Sequence, residues 1–140
     1  PMTGGAGGGS GGGMMGGTGG GSGTMMPGPT LLLASGQQLD PDGAVTTSDG
    51  THRLTYQQDG NLVLYRNSGG AGWSSGTPGT SAGRAIMQTD GNLVVYDRDG
   101  VPRFHTHTHG NPGAQLFFET PGRLHVIHPD GRRLWSGGAP

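Results

Sequence analysis

Two nine-residue segments of the chain carry the same side chains at the same alternate positions. Site I is the set Gln57, Asp59, Asn61, Val63 and Tyr65, and site II is the set Gln88, Asp90, Asn92, Val94 and Tyr96. Because alternate residues of a β-strand point to one side, we expect each set to share one outward face. That face combines two amides, a carboxylate and a phenol with a small apolar surface.

Such a face suits the binding of a pyranose sugar. Each ring hydroxyl both donates and accepts hydrogen bonds, and the carboxylate and amides supply both kinds of partner. An axial hydroxyl beside equatorial ones fits between a carboxylate and an amide, and the C–H patch of the ring fits an apolar side chain. The same polar residues can also simply cap turns through side-chain hydrogen bonds. The residues alone leave both interpretations open.

The two segments belong to an internal repeat with a step of 31 residues. Three series of residues keep this step through a third copy: Gly60, Gly91 and Gly122; Leu62, Leu93 and Leu124; Trp73, Phe104 and Trp135. One short repeat cannot bury a face alone, but three can close around a shared core. We expect the leucines to face that core and the three aromatic residues to meet on a threefold axis as its plugs.

The third copy departs from the pattern at all five positions, which are Glu119, Pro121, Arg123, His125 and Ile127. We therefore expect a degenerate site, in which this part of the chain survives as scaffold. The alternative is an altered site for an acidic sugar or a protein, because Arg123, His125 and His128 make a local basic patch.

The pattern of the chain from Thr30 to Pro140 predicts an all-β fold. Apolar and polar residues alternate after each Asp-Gly pair, which predicts half-buried strands joined by tight hairpins or bulges. Leu31–Gly36 predicts a short strand and a turn. No stretch of this part has helical periodicity.

The tandem pattern Gln-x-Asp-x-Asn-x-Val-x-Tyr resembles that of the monocot mannose-binding lectins, the bulb-type or snowdrop-agglutinin family, over about residues 30–138. The resemblance implies a β-prism II fold of three four-stranded antiparallel sheets with pseudo-threefold symmetry. It implies terminal mannose or mannose-rich glycans as ligands, and a homodimer formed by exchange of C-terminal strands around Leu134–Ser136.

The resemblance also implies roles for the residues of site I. Asp59 and Asn61 would hold the 2-hydroxyl of mannose, and Gln57 the 3-hydroxyl. Tyr65 would hold the 4-hydroxyl, and Val63 would pack on the ring carbons. Gln88, Asp90, Asn92, Val94 and Tyr96 would act in the same way in site II.

Residues 1–29 differ in character from the lectin-like domain that we predict over residues 30–140. They consist almost entirely of Gly, Ser, Thr and Met. Glycine-rich chain has much backbone entropy to lose, so we predict a flexible linker. The alternative is an assembly arm that engages a protein partner through Met14, Met15, Met25 and Met26. This alternative gives a second hypothesis of function, an interaction protein with the prism as scaffold and the arm as connector.

The composition disfavours several classes of function. The net charge is -1, which predicts no binding to nucleic acid, and no apolar run is long enough for membrane insertion. No nucleophile or phosphate-binding motif is present, so we expect neither an enzyme nor a cofactor. The chain has no cysteine, whereas plant members of the family usually carry a disulfide, so we expect a microbial member or, alternatively, a reducing compartment. No signal peptide is visible, although a lectin function favours a secreted or cell-surface location.

Three histidines, His105, His107 and His109, alternate along the chain. In an extended strand their imidazoles would share one face, where neutral imidazoles can bind zinc. No acidic or cysteine partner lies nearby in the sequence, and Phe104 at a core position would turn all three histidines to solvent. We therefore expect a polar strand rather than a metal site.

Overall fold

A computed structural model describes residues 29–138 of the chain. These residues form strands β1 to β12, in order Thr30–Leu33, Gln38–Leu39, Ala44–Thr46, His52–Tyr56, Leu62–Arg66, Ala71–Ser74, Ala82–Met87, Leu93–Asp97, Pro102–His105, Gln115–Glu119, Arg123–Ile127 and Arg133–Gly137. The all-β prediction is confirmed, and residues 29–138 contain no helix able to span a bilayer. Nearly all of the predicted linker or assembly arm lies outside the described residues, as do residues 139–140.

The strands form three four-stranded antiparallel sheets, as the resemblance implies. The first sheet has the order β3-β4-β5-β6, the second β9-β8-β7-β2 and the third β12-β11-β10-β1. Each repeat supplies three consecutive strands to one sheet. The β-prism with its pseudo-threefold arrangement of sheets is therefore confirmed.

The fourth strand of every sheet comes from residues 30–46, which we call the lead segment. It supplies β1 to the third sheet, β2 to the second and β3 to the first. The lead segment therefore runs around the prism and contacts all three repeats. Only its first strand was predicted from the sequence.

The core is built from inward-facing residues that keep the step of 31. The leucines Leu62, Leu93 and Leu124 are fully buried, as expected. Three further series are also buried, namely Leu54, Ala85 and Leu116; Leu64, Val95 and Val126; Tyr56, Met87 and Phe118. Removal of this apolar surface from water is the main force that holds the three sheets together.

Trp73, Phe104 and Trp135 meet edge to face, with ring centroids 5.5 to 6.2 Å apart. The predicted meeting on a threefold axis is confirmed. All three rings remain partly exposed and pack against the buried cluster, so they flank the core rather than form its most buried part.

The predicted hairpins precede the central strands of the first two sheets. In the first, the N–H of Gly60 donates to the carbonyl oxygen of Gln57 at 3.0 Å, and the N–H of Gln57 donates to that of Asn61 at 2.9 Å. Gly60 has φ +88°, a left-handed conformation that glycine adopts without strain. The hairpin around Gly91 has the same bonds and φ +93°.

Candidate functional site

The five residues of site I lie on one hairpin of the first sheet. Val63 and Tyr65 belong to β5, as predicted, but Gln57, Asp59 and Asn61 lie in the turn before it. The expectation that all five share one strand face is therefore wrong for the polar three. The chain turns at the Asp-Gly pair, so these three residues lie just before β5 and do not follow the alternation of its side chains.

Hydrogen bonds join the polar side chains of site I to one another. The Nε2 amide of Gln57 donates to both carboxylate oxygens of Asp59 at 3.1 Å. The hydroxyl of Tyr65 donates to Oε1 of Gln57. One oxygen of Asp59 also accepts the backbone N–H of Asn61 at 2.9 Å. Carboxylate, amide and phenol thus form one continuous chain of hydrogen bonds.

Asn61 is held by residues of the loop that follows β6. Its Oδ1 accepts hydrogen bonds from the Ser75 hydroxyl and from the Thr77 N–H, both at 3.1 Å. With the oxygen occupied, the Nδ2 amide group of Asn61 is left to donate to a ligand. Among the described residues, none accepts a hydrogen bond from it.

Site II in the second sheet shares part of this arrangement, but no hydrogen bond joins Gln88 to Asp90, and here the glutamine donates to the tyrosine. The carboxylate of Asp90 accepts the N–H of Asn92 at 3.0 Å, and the Gln88 amide donates to the Tyr96 hydroxyl at 2.6 Å. Oδ1 of Asn92 accepts from Thr106 and from the N–H of Thr108, both at 3.2 Å.

The sequence motif did not predict the hydroxyl residues that hold the two asparagines, namely Ser75, Thr77, Thr106 and Thr108. Within each pair the hydroxyls contact each other, at 2.7 Å and at 2.6 Å. The two pairs are themselves 31 residues apart, and this repeat of the step is the signal that could have found them. The third copy has Gly137 at the corresponding position, so its site lacks this support.

The two sites differ from expectation at their apolar residue. Val63 and Val94 are only 3% exposed, whereas Asp59 and Asp90 are exposed. Each valine therefore lies at the floor of its site, and only a small part of its surface can reach a ligand.

No protein-family model matches the chain, and no curated protein matches it. Solved structures do match. The Marasmius oreades lectin is 27% identical with a TM-score of 0.69, over 76% of this chain and 89% of that one. A monomeric monocot mannose-binding lectin from Gastrodia elata is 28% identical with a TM-score of 0.67, over 79% and 98%. The Polygonatum cyrtonema lectin, solved with a monomannoside, is 30% identical with a TM-score of 0.54, over 74% and 86%.

The chain belongs to the bulb-type lectins. This conclusion confirms the resemblance inferred from the tandem motif. The relatives named above are all lectins, and two of them are linked to mannose by their own descriptions.

In the third sheet of this bulb-type lectin, Glu119 and His125, which occupy two of the five motif positions, bind each other and residues of β12. Glu119 accepts hydrogen bonds from the Arg133 guanidinium at 2.7 and 2.8 Å, and it lies 3.0 Å from Nε2 of His125. The other ring nitrogen of His125 lies 2.7 Å from the Ser136 hydroxyl. The hydrogen bonds from Arg133 hold the pKa of Glu119 below its usual range. Burial lowers the pKa of His125, although Glu119 opposes this effect.

The basic patch that the sequence suggests in the third copy is therefore largely occupied. His125 is buried against Glu119, and His128 lies 3.0 Å from Asp130. Of the three basic residues, only Arg123 has no ion-pair partner among the described residues.

The three histidines of the lectin are not arranged along one strand. Strand β9 ends at His105, and His107 has φ 60°, so the chain turns where an extended strand was required. The rings of His105 and His107 stack with centroids 3.8 Å apart. Within residues 29–138, no three potential ligand side chains are grouped as a metal site.

One of these histidines contacts site II instead. The Nδ2 amide of Asn92 lies 3.3 Å from Nδ1 of His105. Burial, followed by the neighbouring His107 and His109, lowers the pKa of His105. The corresponding residue beside site I is Ser74, 31 positions earlier. The two sites of the lectin therefore have the same motif but different surroundings.

Proposed function

We propose that this lectin domain binds terminal mannose, or glycans rich in mannose, through sites I and II. The observation that carries the proposal is the hydrogen-bonded ordering of the same carboxylate, amides and phenol on two separate sheets. Side chains that are already ordered lose little entropy when a ligand arrives. The mannose-binding relatives support the choice of ligand.

The roles are those that the family resemblance implies, and the hydrogen-bonded set of side chains in site I is compatible with them. Asp59 and the outward Nδ2 of Asn61 supply an acceptor and a donor for the axial 2-hydroxyl. Gln57, which lies between Asp59 and Tyr65, binds the 3-hydroxyl, and Tyr65 binds the 4-hydroxyl. The exposed edge of Val63 contacts the ring carbons.

Site II uses its own five residues in the same roles. Its asparagine must release His105 or share its Nδ2 protons between His105 and the sugar. The third sheet, where Glu119, His125 and Arg133 bind one another, is assigned a scaffold role.

Each site alone should bind weakly, with a Kd on the order of millimolar, because water competes for every hydroxyl. The two sites lie on different sheets, so a glycan cluster or surface with many mannose units can engage both. Avidity from this double engagement would then exceed either single affinity.

Calorimetric titration with methyl α-mannoside tests the proposal. We expect Asp59→Ala with Asn61→Ala to remove one binding site, Asp90→Ala with Asn92→Ala to remove the other, and all four changes together to abolish binding. Arg123→Ala, an exchange in the third sheet, should leave both sites unchanged. Methyl α-galactoside serves as the ligand control, because its 2-hydroxyl is equatorial and its 4-hydroxyl is axial.

A second pair of variants, Tyr65→Phe and Tyr96→Phe, removes only the hydroxyls and keeps the rings. These two variants test the proposal even if the alanine variants unfold. Each change should weaken the affinity of its own site about tenfold, which corresponds to the loss of roughly one hydrogen bond. Unchanged affinity in a folded variant that lacks all four Asp and Asn side chains would contradict the proposal.

A further inference from the structure

An arginine accompanies the tyrosine in both intact sites. Arg53 of β4 pairs in register with Tyr65, and Arg84 of β7 pairs with Tyr96. The guanidinium carbons lie 5.9 and 5.1 Å from the centres of the tyrosine rings. In the third sheet the corresponding pair is Gln115 and Ile127. The arginine is thus present only in the two copies that keep the sugar motif.

These two guanidinium groups are free to take an anionic ligand. Within residues 29–138, the ion pairs involve Arg103, Arg132, Arg133 and two histidines, and neither Arg53 nor Arg84 takes part. Both side chains are exposed. Each guanidinium lies over a tyrosine ring, and the N–H donors at the edge of the guanidinium remain available to a ligand.

Beside site II the arginine borders a cavity of about 330 Å³. Its lining includes Arg84, Tyr96 and a second exposed guanidinium, that of Arg98. Two carboxylates also line it. Asp97 already pairs with Arg103 at 2.8 Å, and Asp40 accepts a hydrogen bond from Gln38 at 2.7 Å. Two unpaired positive groups therefore face one carboxylate that has no cation partner.

We propose that both sites select sugars that carry an anionic group, a phosphate or a carboxylate, at the C6 end of the ring. The inference rests on the proposed function, in which the tyrosine binds the 4-hydroxyl. Because C6 is attached to C5, next to C4, a group on C6 lies on the tyrosine side of the bound ring. A guanidinium binds phosphate or carboxylate through two parallel hydrogen bonds.

The competing explanation is that each arginine only stabilises its sheet by stacking across the strand pair. That role would affect thermal stability but would not distinguish one sugar from another. The decisive measurement is therefore a ratio of affinities within one protein, which a change in stability does not alter.

The test compares four ligands by calorimetry: methyl α-mannoside, mannose 6-phosphate, mannuronic acid and mannose 1-phosphate. We expect mannose 6-phosphate to bind on the order of tenfold more tightly than methyl α-mannoside, and mannuronic acid severalfold more tightly. Mannose 1-phosphate carries its charge at the opposite end of the ring, so it should bind no more tightly than methyl α-mannoside. The comparison of mannose 6-phosphate with mannuronic acid shows whether the sites prefer a phosphate or a carboxylate.

The variant Arg53→Gln with Arg84→Gln should bring the ratio for mannose 6-phosphate close to one. Arg123→Gln with Arg132→Gln removes the same charge from the third repeat and should leave the ratio unchanged. The inference is overturned if the parent protein binds methyl α-mannoside but binds mannose 6-phosphate no more tightly. It is also overturned if mannose 1-phosphate binds as tightly as mannose 6-phosphate, or if Arg53→Gln with Arg84→Gln keeps the preference for mannose 6-phosphate. Absence of binding to any of the four ligands overturns the proposed function together with the inference.

Discussion

Sites I and II contain the same five residue types, but their asparagines have different neighbours. Asn92 is buried and contacts His105, whereas Asn61 is partly exposed and has Ser74 at the corresponding position. A neutral imidazole with its proton on Nε2 can accept the Nδ2 hydrogen of Asn92, and in the proposed binding mode this amide would lie between a histidine and the sugar. The two sites should therefore respond differently to pH.

We expect mannose affinity at site II, but not at site I, to fall severalfold as the pH is lowered from about 7.5 to about 5. Burial holds the pKa of His105 below the ordinary value of about 6.5, so the ring is neutral at pH 7 and gains its proton only in more acidic solution. The protonated Nδ1 is a donor that faces the donor Nδ2 of Asn92, and this repulsion displaces the amide.

Calorimetry in an Asn61→Ala background reports site II alone, and an Asn92→Ala background reports site I alone. His105→Ser copies the residue beside site I and should remove the pH dependence. Parallel pH profiles for the two backgrounds would show that His105 has no part in binding.

The ten motif residues are recognisable in the sequence because two complete copies stand in register, but the residues that hold the motif in place are not. Thr106 and Thr108 follow another strand, and short hydroxyl residues carry no pattern of their own beyond the step of 31. The proximity of His105 to Asn92 depends on where β9 ends and the chain turns, which period-two alternation does not reveal.

Among the elements, the turn that opens site II depends on a glycine with no room beside it. Gly91 has φ +93°, and a Cβ added there would contact the carbonyl oxygen of Asn111 and lie 2.9 Å from that of Thr108. Gly100, in the next turn of the same sheet, has φ +81° and open space around it. Alanine substitutions at these two glycines therefore separate the cost of backbone strain from the cost of steric contact.

We expect Gly100→Ala to cost about 1 kcal/mol of unfolding free energy, the strain of a left-handed alanine. Gly91→Ala should cost about 3 kcal/mol or more, because the new methyl group also pushes on two carbonyls. It should also weaken mannose binding at site II, since Thr108 holds Asn92. Urea unfolding and calorimetry measure both effects, and equal costs for the two variants would contradict the packing of Gly91 described here.

The hairpins and central strands were predictable because apolar residues alternate after each Asp-Gly pair. The short strands β2 and β3, with Gln38–Leu39 and Ala44–Thr46, were not, because two or three residues are too few for a periodicity. Their positions are set by partners in other repeats. Tertiary contact rather than local preference therefore decides where the lead segment pairs.

At the scale of the whole molecule, residues 1–28 are attached to the sheet that has no intact motif. They precede β1, which belongs to the third sheet, whereas sites I and II lie on the first and second. The segment has no aromatic residue to stack on a sugar and no charged residue. The boundary that we predict between arm and domain, and the alternative of an assembly role, remain predictions.

We expect deletion of residues 1–28 to leave the affinity for methyl α-mannoside unchanged. If the arm takes part in assembly, the effect should appear as a lower mass by light scattering, because glycine-rich backbone can pair closely with a sheet edge and methionines supply adaptable apolar contacts. Full-length protein under the same conditions is the control. A tenfold loss of mannose affinity on truncation would show that the arm reaches a sugar site.

The path of the lead segment also implies an order in which the three sheets can form during synthesis on the ribosome. Thr46 pairs with the nearby Arg53, Leu39 pairs with Ala85, and Leu33 pairs with Leu116. The first sheet can therefore close early in synthesis, while the third must bring together the two ends of the described chain. Until the last repeat emerges, β1 has no partner strand in its own chain, so a second nascent chain can capture it. A product that ends after the second repeat would leave β1 permanently without that partner.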